Sequence, residues 1–189
     1  MPCSAIAALV VLADYPAAGL TKTETEITTG DEMTQSDLQE GDTAPQVDLP
    51  RDGGGRARLA DFAGGPVVLF FYPRDDTSGC TREALGFTEH AADFAAAGAT
   101  VLGVSKDSVR KHDSFRDKHG LGIPLLSDAE GDVCERYGVW REKSMYGRTF
   151  MGIERSTFLI GADGRIARIW RRVKVPGHVE EVLAAVRAL

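Results

Sequence analysis

The chain of 189 residues is long enough for one domain with a proper hydrophobic core, alone or with a tail. Its apolar residues (43%) and charged residues (26%) are typical of a globular protein and exclude collagen, coiled coil and wholesale disorder. The net charge of −6 arises in residues 1–40, which hold seven acidic residues and one basic residue. The remainder is neutral, which argues against a nucleic-acid-binding surface. No apolar run reaches the length of a membrane span.

Residues 1–36 differ in composition from the rest of the chain. The apolar run at 5–13 has the length of a signal-peptide core, but no Lys or Arg precedes it, which argues against a secretory signal. The polar stretch that follows shows neither helical nor strand periodicity. We therefore expect residues 1–36 to be a disordered or misassigned acidic leader, with Met33 as a candidate start, and residues 38–189 to form the domain.

The first elements of the domain alternate between strands and helices. A Pro- and Gly-rich segment from Gly41 is typical of an N-terminal hairpin. The apolar, β-rich run Val67–Tyr72 predicts a central strand that is buried on both faces. A helix should begin near Cys80 and end at Gly98, and the run Thr100–Val104 predicts a second buried strand.

The next predicted helix has recognisable signals at both ends. Asp107 or Ser108 should cap its start, and Gly120 should end it. The sequence between these signals is rich in charged residues. We therefore expect its two histidines, His112 and His119, to lie on a solvated face.

The last elements change from alternation to a hairpin. A short strand at Pro124–Leu126 precedes a helix predicted from Asp128. An Asp-Gly turn joins the strands Ser156–Ile160 and Arg165–Arg171, and a final helix begins at Pro176–Gly177. Strands that alternate with helices pair in parallel, whereas the late hairpin adds antiparallel pairs. The predicted fold class is therefore α/β: a thioredoxin-like, three-layer fold with a mixed central sheet and helices on both faces.

The chain has three cysteines, Cys3, Cys80 and Cys134. They are too few for a disulfide framework, and their spacing fits no zinc pattern. The four histidines do not cluster, so we expect no metal and no other cofactor. A sparse, odd number of cysteines is more typical of a reducing compartment than of a secreted scaffold, which favours a cytoplasmic location.

One stretch, PRDDTSGC at residues 73–80, combines features of a reactive site. A buried strand ends, a polar turn follows, and Cys80 comes in the first turn of a helix, where free N–H groups and the helix dipole favour an anion. The alternative is that Cys80 is a small buried apolar residue, which is common for a lone cysteine. The polar setting favours the reactive interpretation.

The same stretch matches a known pattern. Pro73, Thr77 and Cys80 fit P-x-x-x-T-x-x-C, the peroxidatic signature of peroxiredoxins. The wider sequence FFYPRDDTSGCTREALGF resembles the peroxiredoxin Q (bacterioferritin comigratory protein) subfamily. Three later segments are similar to that subfamily in the same order: 103–108, 124–131 and 145–160. The resemblance extends over about residues 38–189, nearly the whole predicted domain.

The resemblance implies a thiol-dependent peroxidase and a role for each matching residue. Cys80 would be the thiolate that attacks hydrogen peroxide or an organic hydroperoxide and becomes a sulfenic acid. Arg155 would hold the thiolate and hydrogen-bond the peroxide. Thr77 would donate and accept hydrogen bonds at the peroxide oxygens, and Pro73 would shield the sulfur from water. Glu83 is placed to orient an arginine in this pocket.

The sequence departs from that subfamily where the sulfenic acid is resolved. Many members carry a second cysteine five residues after the first, where this chain has Leu85. The cysteines that remain are Cys134, in the next predicted helix, and Cys3 in the leader. Cys134 is a possible resolving cysteine, although a buried apolar role is the favoured expectation for it. We therefore expect one-Cys chemistry, in which thioredoxin, glutaredoxin or a low-molecular-weight thiol attacks Cys80 directly. The expected partners are this reductant and the hydroperoxide, and we expect neither a nucleic acid nor a membrane as a partner. We expect the protein to be a monomer or a weak dimer.

Two other functions are compatible with the same predicted fold. A thiol–disulfide oxidoreductase would need a C-x-x-C motif, which the sequence Cys80-Thr81-Arg82-Glu83 does not supply. A redox sensor would use Cys80 as a switch and would not turn over. Consumption of peroxide in the presence of a thiol reductant separates the peroxidase from both alternatives.

Overall fold

The structure is a computed structural model that describes residues 38–145 and 147–189. The leader expected at residues 1–36 lies outside the described residues. Within them, no helix combines the length and the apolar character needed to cross a membrane. In chain order the elements are β1 (Asp48–Pro50), β2 (Arg56–Arg58), a 3-10 turn (Leu59–Phe62), β3 (Val67–Phe71), α1 (Ser78–Glu89), α2 (Ala91–Ala96), β4 (Thr100–Ser105), α3 (Val109–His119), β5 (Leu125–Ser127), α4 (Val133–Arg136), β6 (Trp140–Met145), β7 (Arg148–Ile153), β8 (Ser156–Ile160), β9 (Ile166–Arg171) and α5 (His178–Val186).

A five-stranded sheet forms the centre of the fold. Its strand order is β5-β4-β3-β8-β9. The strands β3, β4 and β5 run parallel, whereas β8 pairs antiparallel with both β3 and β9. The mixed sheet predicted from the alternation and the late hairpin is thus confirmed. Two small hairpins, β1–β2 and β6–β7, lie outside it.

The two faces of this sheet carry separate hydrophobic clusters. On β3, alternate residues point to opposite sides: Val67, Leu69 and Phe71 belong to one cluster, and Val68 and Phe70 to the other. The helices α1, α2, α3 and α5 contribute their buried residues to the cluster around Phe70, whereas α4 and the β1–β2 hairpin contribute to the cluster around Phe71. Helices therefore cover both faces, which confirms the predicted three-layer, thioredoxin-like architecture.

Several predicted boundaries are confirmed, and one helix is split in two. Ser108 is the N-cap residue of α3, and Gly120 ends it in the left-handed conformation at φ 63°. The single helix predicted as far as Gly98 is instead α1 followed by α2. The break is at His90, whose backbone is not helical and whose ring contacts the Asp93 carboxylate at 3.1 Å in the first turn of α2.

The helix predicted from Asp128 is wrong in its length. The structure contains only the short α4, Val133–Arg136. The Asp128 side chain accepts hydrogen bonds from the N–H groups of Val133 (3.1 Å) and Cys134 (2.8 Å). Asp128 thus satisfies the free donors at the start of α4 from outside the helix, a competition typical of aspartate.

The solvated face expected for His112 is also wrong. Its side chain is completely buried, with Nδ1 2.8 Å from the Asp75 carboxylate and Nε2 3.2 Å from the Leu126 carbonyl oxygen. His119 is partly exposed and contacts Asp76 at 2.8 Å. The many charged residues of α3 suggested a solvated helix, but His112 instead forms a buried polar contact with Asp75 in a distant loop.

Candidate active site

Cys80 lies at the junction that the sequence predicts. Strand β3 ends at Phe71, and α1 begins at Ser78 after the extended N-cap residue Thr77. Cys80 is the third residue of α1, so it lies within the first turn, where backbone N–H groups have no intrahelical partner. We refer to residues 73–80 as the Cys80 turn.

The sulfur is hidden from solvent yet has a polar partner. Cys80 is 1% exposed and belongs to the cluster around Phe70. Nη2 of Arg155 lies 3.1 Å from its Sγ atom, within hydrogen-bonding distance. The two residues are 75 positions apart, and the antiparallel pairing of β3 with β8 brings them together, because Arg155 directly precedes β8.

The other arm of the guanidinium contacts Glu83. Nη1 of Arg155 donates to Glu83 Oε2, while the second carboxyl oxygen, Oε1, is buried and has no hydrogen-bond partner among the described residues. Burial raises the pKa of Glu83 to about 7, although Arg155 opposes the shift. Burial alone would lower the pKa of Arg155, but Glu83 and Cys80 hold it above its ordinary value. Arg155 is therefore a fixed cation shared between a carboxyl group and a sulfur.

Gly79 leaves room for this arrangement. A Cβ atom at Gly79 would lie 3.3 Å from Nη2 of Arg155, closer than ordinary van der Waals contact. A side chain there would press on the atom that contacts Cys80. Only the structure shows this, because a glycine next to a cysteine is not in itself a site signal.

The remaining residues of the signature lie at the surface of the Cys80 turn. Pro73 and Thr77 are both exposed. Thr77 Oγ1 donates to the Arg74 carbonyl oxygen at 3.2 Å, and its own carbonyl oxygen accepts from the N–H of Thr81 at 2.8 Å. Among the described residues, neither Pro73 nor Thr77 hydrogen-bonds the sulfur. The structure thus brings Cys80, Arg155 and Glu83 into contact and leaves Thr77 and Pro73 beside them.

A second cation, Lys143, also lies near the sulfur. The sequence did not point to it, because the β6–β7 hairpin that carries it was not predicted. Lys143 lies on β6, is partly buried, and donates to the Ile153 carbonyl oxygen. Burial lowers the pKa of Lys143, the positive Arg155 contributes to this, and Glu154 and Cys80 oppose it. Lys143 therefore belongs to the electrostatic surroundings of the sulfur. The hairpin has no Asp-Gly turn, β6 carries three charged residues, and β7 exposes the apolar Phe150 and Met151. Neither strand therefore shows the alternation that predicts a half-buried strand.

Cys134 lies on the other side of the central sheet. It is completely buried, in the cluster around Phe71, whereas Cys80 is in the cluster around Phe70. Burial and the nearby Asp128 raise the pKa of Cys134 well above its ordinary value. A disulfide requires Cα atoms within about 7 Å, and a sheet separates these two cysteines. The expectation that Cys134 is a buried apolar residue agrees with this placement.

Leu85 occupies α1 five residues after Cys80. At 100° per residue, the two positions differ by about 140° around the helix. Leu85 is partly buried, and it lines an open groove of about 660 Å³ beside α1, to which Cys80 does not contribute. Among the described residues, no group of three or more His, Cys, Asp or Glu side chains is arranged to hold a metal ion.

A cysteine in the first turn of a helix, buried in a thioredoxin-type fold and paired with arginine, defines the class of thiol-based oxidoreductases. The comparisons are more specific. The AhpC/TSA family matches residues 40–169. A putative peroxiredoxin bcp of Coxiella burnetii is 49% identical over 146 residues, covering 77% of this chain and 97% of that protein. The peroxiredoxin Bcp of Bacillus subtilis is 44% identical over 150 residues, covering 79% of this chain and 96% of that protein.

Solved structures agree with these relatives. A cysteine variant of PrxQ from Xylella fastidiosa superimposes with a TM-score of 0.76 at 45% identity, covering 80% of this chain and 96% of that one. The bacterioferritin comigratory protein of Xanthomonas campestris, studied for its alkyl peroxide reduction activity, gives a TM-score of 0.72 at 46% identity, covering 75% and 90%.

This chain belongs to the AhpC/TSA family and, within it, is similar to the peroxiredoxin Q and Bcp proteins. It is a thiol peroxidase, an oxidoreductase with a peroxide substrate and a thiol reductant. The family resemblance read from the sequence is thereby confirmed.

Proposed function

We propose that Cys80 is the peroxidatic nucleophile and that Arg155 is the cation that makes it effective. The observation that carries the proposal is the 3.1 Å contact between Arg155 Nη2 and Cys80 Sγ at a buried sulfur. Ionisation of the thiol explains only part of the rate. A thiol of pKa about 8.5 is about 3% thiolate at pH 7, so full ionisation raises the rate by about 30-fold. Most of the acceleration must come from fixed donors that stabilise the charge developing along the O–O bond.

The chemical step balances within this site. The Cys80 thiolate attacks the terminal oxygen of a hydroperoxide, an S–O bond forms and the O–O bond breaks. The leaving oxygen takes the electron pair and, from water, a proton equivalent to the one that the thiol released when it ionised, and it departs as water or an alcohol. The sulfur is oxidised to a sulfenic acid, and the peroxide is reduced. Arg155 and the free N–H groups of the first turn of α1 are the donors nearest to the developing charge.

We assign supporting roles to three further residues. Glu83 holds one arm of Arg155 and so directs the other arm at the sulfur. Thr77, at the N-cap, presents its hydroxyl group beside the helix start, where it would exchange hydrogen bonds with the peroxide oxygens. Pro73 would limit the access of water to the turn. Hydrogen peroxide and alkyl hydroperoxides are the proposed substrates, and the latter is supported by the Xanthomonas campestris relative.

We also propose one-Cys recycling. The position of Cys134 behind the sheet, and Leu85 at the position of the usual second cysteine, support resolution by an external thiol. That thiol attacks the Cys80 sulfenic acid, releases water and forms a mixed disulfide, which a second thiol reduces. Thioredoxin, glutaredoxin and small thiols are the candidate reductants. The proposal includes a monomer or weak dimer in a reducing, cytoplasmic compartment.

Two measurements test this function. Steady-state consumption of hydrogen peroxide with each candidate reductant should show turnover, whereas a redox sensor would react once and stop. In the second, one equivalent of peroxide is added without reductant and the products at all three cysteines are mapped by peptide mass spectrometry. A sulfenic or overoxidised Cys80 with Cys134 still free is the expected product. A stoichiometric Cys80–Cys134 disulfide would overturn one-Cys recycling.

A further inference from the structure

The Cys80 turn is held against α3 by polar contacts that the peroxide chemistry does not use. Asp75 is at their centre. Its N–H donates to Asp107 Oδ2 at 2.8 Å, its Oδ1 accepts from the Tyr72 hydroxyl group at 2.8 Å, and its Oδ2 lies 2.8 Å from His112 Nδ1. The middle of the turn is thus fixed by three directed contacts.

The contact between Asp75 and His112 is buried. The His112 side chain is 0% exposed and that of Asp75 is 7% exposed. Both ring nitrogens of His112 face oxygen atoms, since Nε2 lies 3.2 Å from the Leu126 carbonyl oxygen. The ring thus links the Asp75 carboxylate to the Leu126 carbonyl oxygen. Removal of either Asp75 or His112 leaves the other buried polar side chain without this hydrogen-bond partner, which is destabilising locally.

Neighbouring Asp76 adds an exposed pair of contacts. Its backbone has φ 57°, in the left-handed region that residues other than glycine rarely adopt. Its carboxylate oxygens contact Lys118 and, at 2.8 Å, His119 near the end of α3. Because Lys118 and Asp76 are about half exposed, this contact contributes less than the buried one.

The two half-reactions place opposite demands on the turn. Peroxide reduction needs the buried sulfur beside Arg155. An external thiol, in contrast, must bring its own sulfur onto Cys80, and a residue that is 1% exposed offers no path for a protein reductant. The Cys80 turn must therefore open between the two steps, and the contacts to α3 oppose that opening.

We propose that the Asp75–His112 pair is a latch that holds the Cys80 turn closed for peroxide reduction and releases it for attack by the external thiol. Asp75 and His112 act through Cys80 and are positioning residues. The inference rests on the proposed one-Cys function. The strength of the Asp75–His112 contact then sets the fraction of molecules in which the Cys80 turn is closed, and so the relative rates of the two half-reactions.

The test uses the two buried cysteines as reporters. In the reduced full-length Asp75→Asn and His112→Gln variants, alkylation of Cys80 by N-ethylmaleimide should be about 10- to 100-fold faster than in the wild type, since the turn opens more often. Peptide mass spectrometry follows each cysteine separately. Cys134, behind the sheet, should stay unmodified, because only global unfolding exposes it.

Two kinetic measurements separate opening from a change in thiol ionisation. Opening should lower the second-order rate constant with hydrogen peroxide and raise that of the sulfenic acid with the external thiol. A shift in ionisation would instead move alkylation and peroxide reduction in the same direction. Because Asp75 and His112 form one contact, the double variant should show less than the sum of the two single effects.

Arg116→Gln is the matched control. Arg116 is also on α3 and forms an ion pair with the buried Asp52, but its polar contacts within the described part of the chain do not include the Cys80 turn. It should leave Cys80 alkylation unchanged. Should the buried variants fail to fold, Lys118→Met provides the test with a smaller expected increase, about 2- to 5-fold.

Three results would overturn the latch: parallel increases at Cys80 and Cys134, unchanged alkylation in all turn variants, or alkylation and peroxide reduction rising together. If the wild type turns over peroxide in these cases, the peroxidase function stands and only the latch is lost. If it consumes no peroxide, the function itself is lost.

Discussion

The two buried cysteines differ in the polar groups beside them. Cys80 is the third residue of α1, and Cys134 is the second residue of α4, so both lie near a helix start. The free donors beside Cys134 are occupied by the Asp128 carboxylate, which also opposes a negative sulfur. Cys80 instead has the Arg155 guanidinium at 3.1 Å. A helix start is therefore not enough: the sign of the neighbouring charge decides which thiol can act.

The largest expected effect comes from exchanging the two sulfurs for oxygen. Cys80→Ser should abolish peroxide reduction, since an alcohol at this position does not ionise and cannot replace the thiolate. Cys134→Ser should retain turnover within about 2-fold, because it removes no group from the site, although a buried hydroxyl group will lower stability. Stopped-flow rates with hydrogen peroxide, together with melting temperatures, measure both effects.

Two results would contradict these roles of Cys80 and Cys134. Wild-type rates in Cys80→Ser would remove the nucleophile from the proposed mechanism. Lost turnover in Cys134→Ser, in a protein that still melts cooperatively, would mean that Cys134 resolves the sulfenic acid in spite of its position behind the sheet.

The next effect concerns the charge that distinguishes Cys80. Arg155→Ala should lower the second-order rate constant with hydrogen peroxide by about 10²–10³, the usual loss on removing one donor to a developing negative charge. Arg155→Lys keeps the charge but not the two-armed geometry that reaches both Glu83 and Cys80, so it should recover only part of the rate. Equal rates in wild type and Arg155→Ala would show that other donors, including Lys143, suffice.

A smaller effect should appear in the pH dependence of stability through Glu83. Its folded pKa is raised from 4.5 to about 7, so the folded state retains a proton that the unfolded chain loses. The resulting stabilisation is fully present below about pH 4.5 and is lost as the pH rises through about 7. Glu83→Gln lacks this dependence. The melting temperature of Glu83→Gln should therefore rise relative to the wild type by roughly 5–10 °C between pH 5 and 8, from about 1.4 kcal/mol per pH unit and about 2–4 °C per kcal/mol.

Glu89→Gln is the control for that experiment. Glu89 is on the same helix and exposed, so the melting temperature of Glu89→Gln should follow that of the wild type at every pH. If Glu83→Gln also ran parallel to the wild type, Glu83 would be ionised in the folded protein despite its unpartnered oxygen.

Local patterns predicted most of the fold. The Val67–Tyr72 run predicted the central strand, the Asp-Gly turn predicted the β8–β9 hairpin, and Gly120 predicted the end of α3. The same reasoning failed for β6–β7, because β7 exposes apolar as well as polar side chains and so lacks the alternation of a half-buried strand. It also failed at Asp128, where a side chain competes with the helix for the same N–H groups.

Patterns along the chain were enough to identify Cys80 as the reactive candidate. A buried strand, a polar turn and Cys80 at a helix start are neighbours along the chain, and so are Pro73, Thr77 and Glu83. The groups that meet the sulfur come from distant parts of the chain. Arg155, which the sequence suggested only through the family resemblance, arrives through the antiparallel pairing of β3 with β8. His112 reaches Asp75 from α3, 37 residues away. Cys134 is excluded by the sheet between two hydrophobic clusters. Contacts between distant residues depend on strand pairing and packing, and no local pattern carries that information.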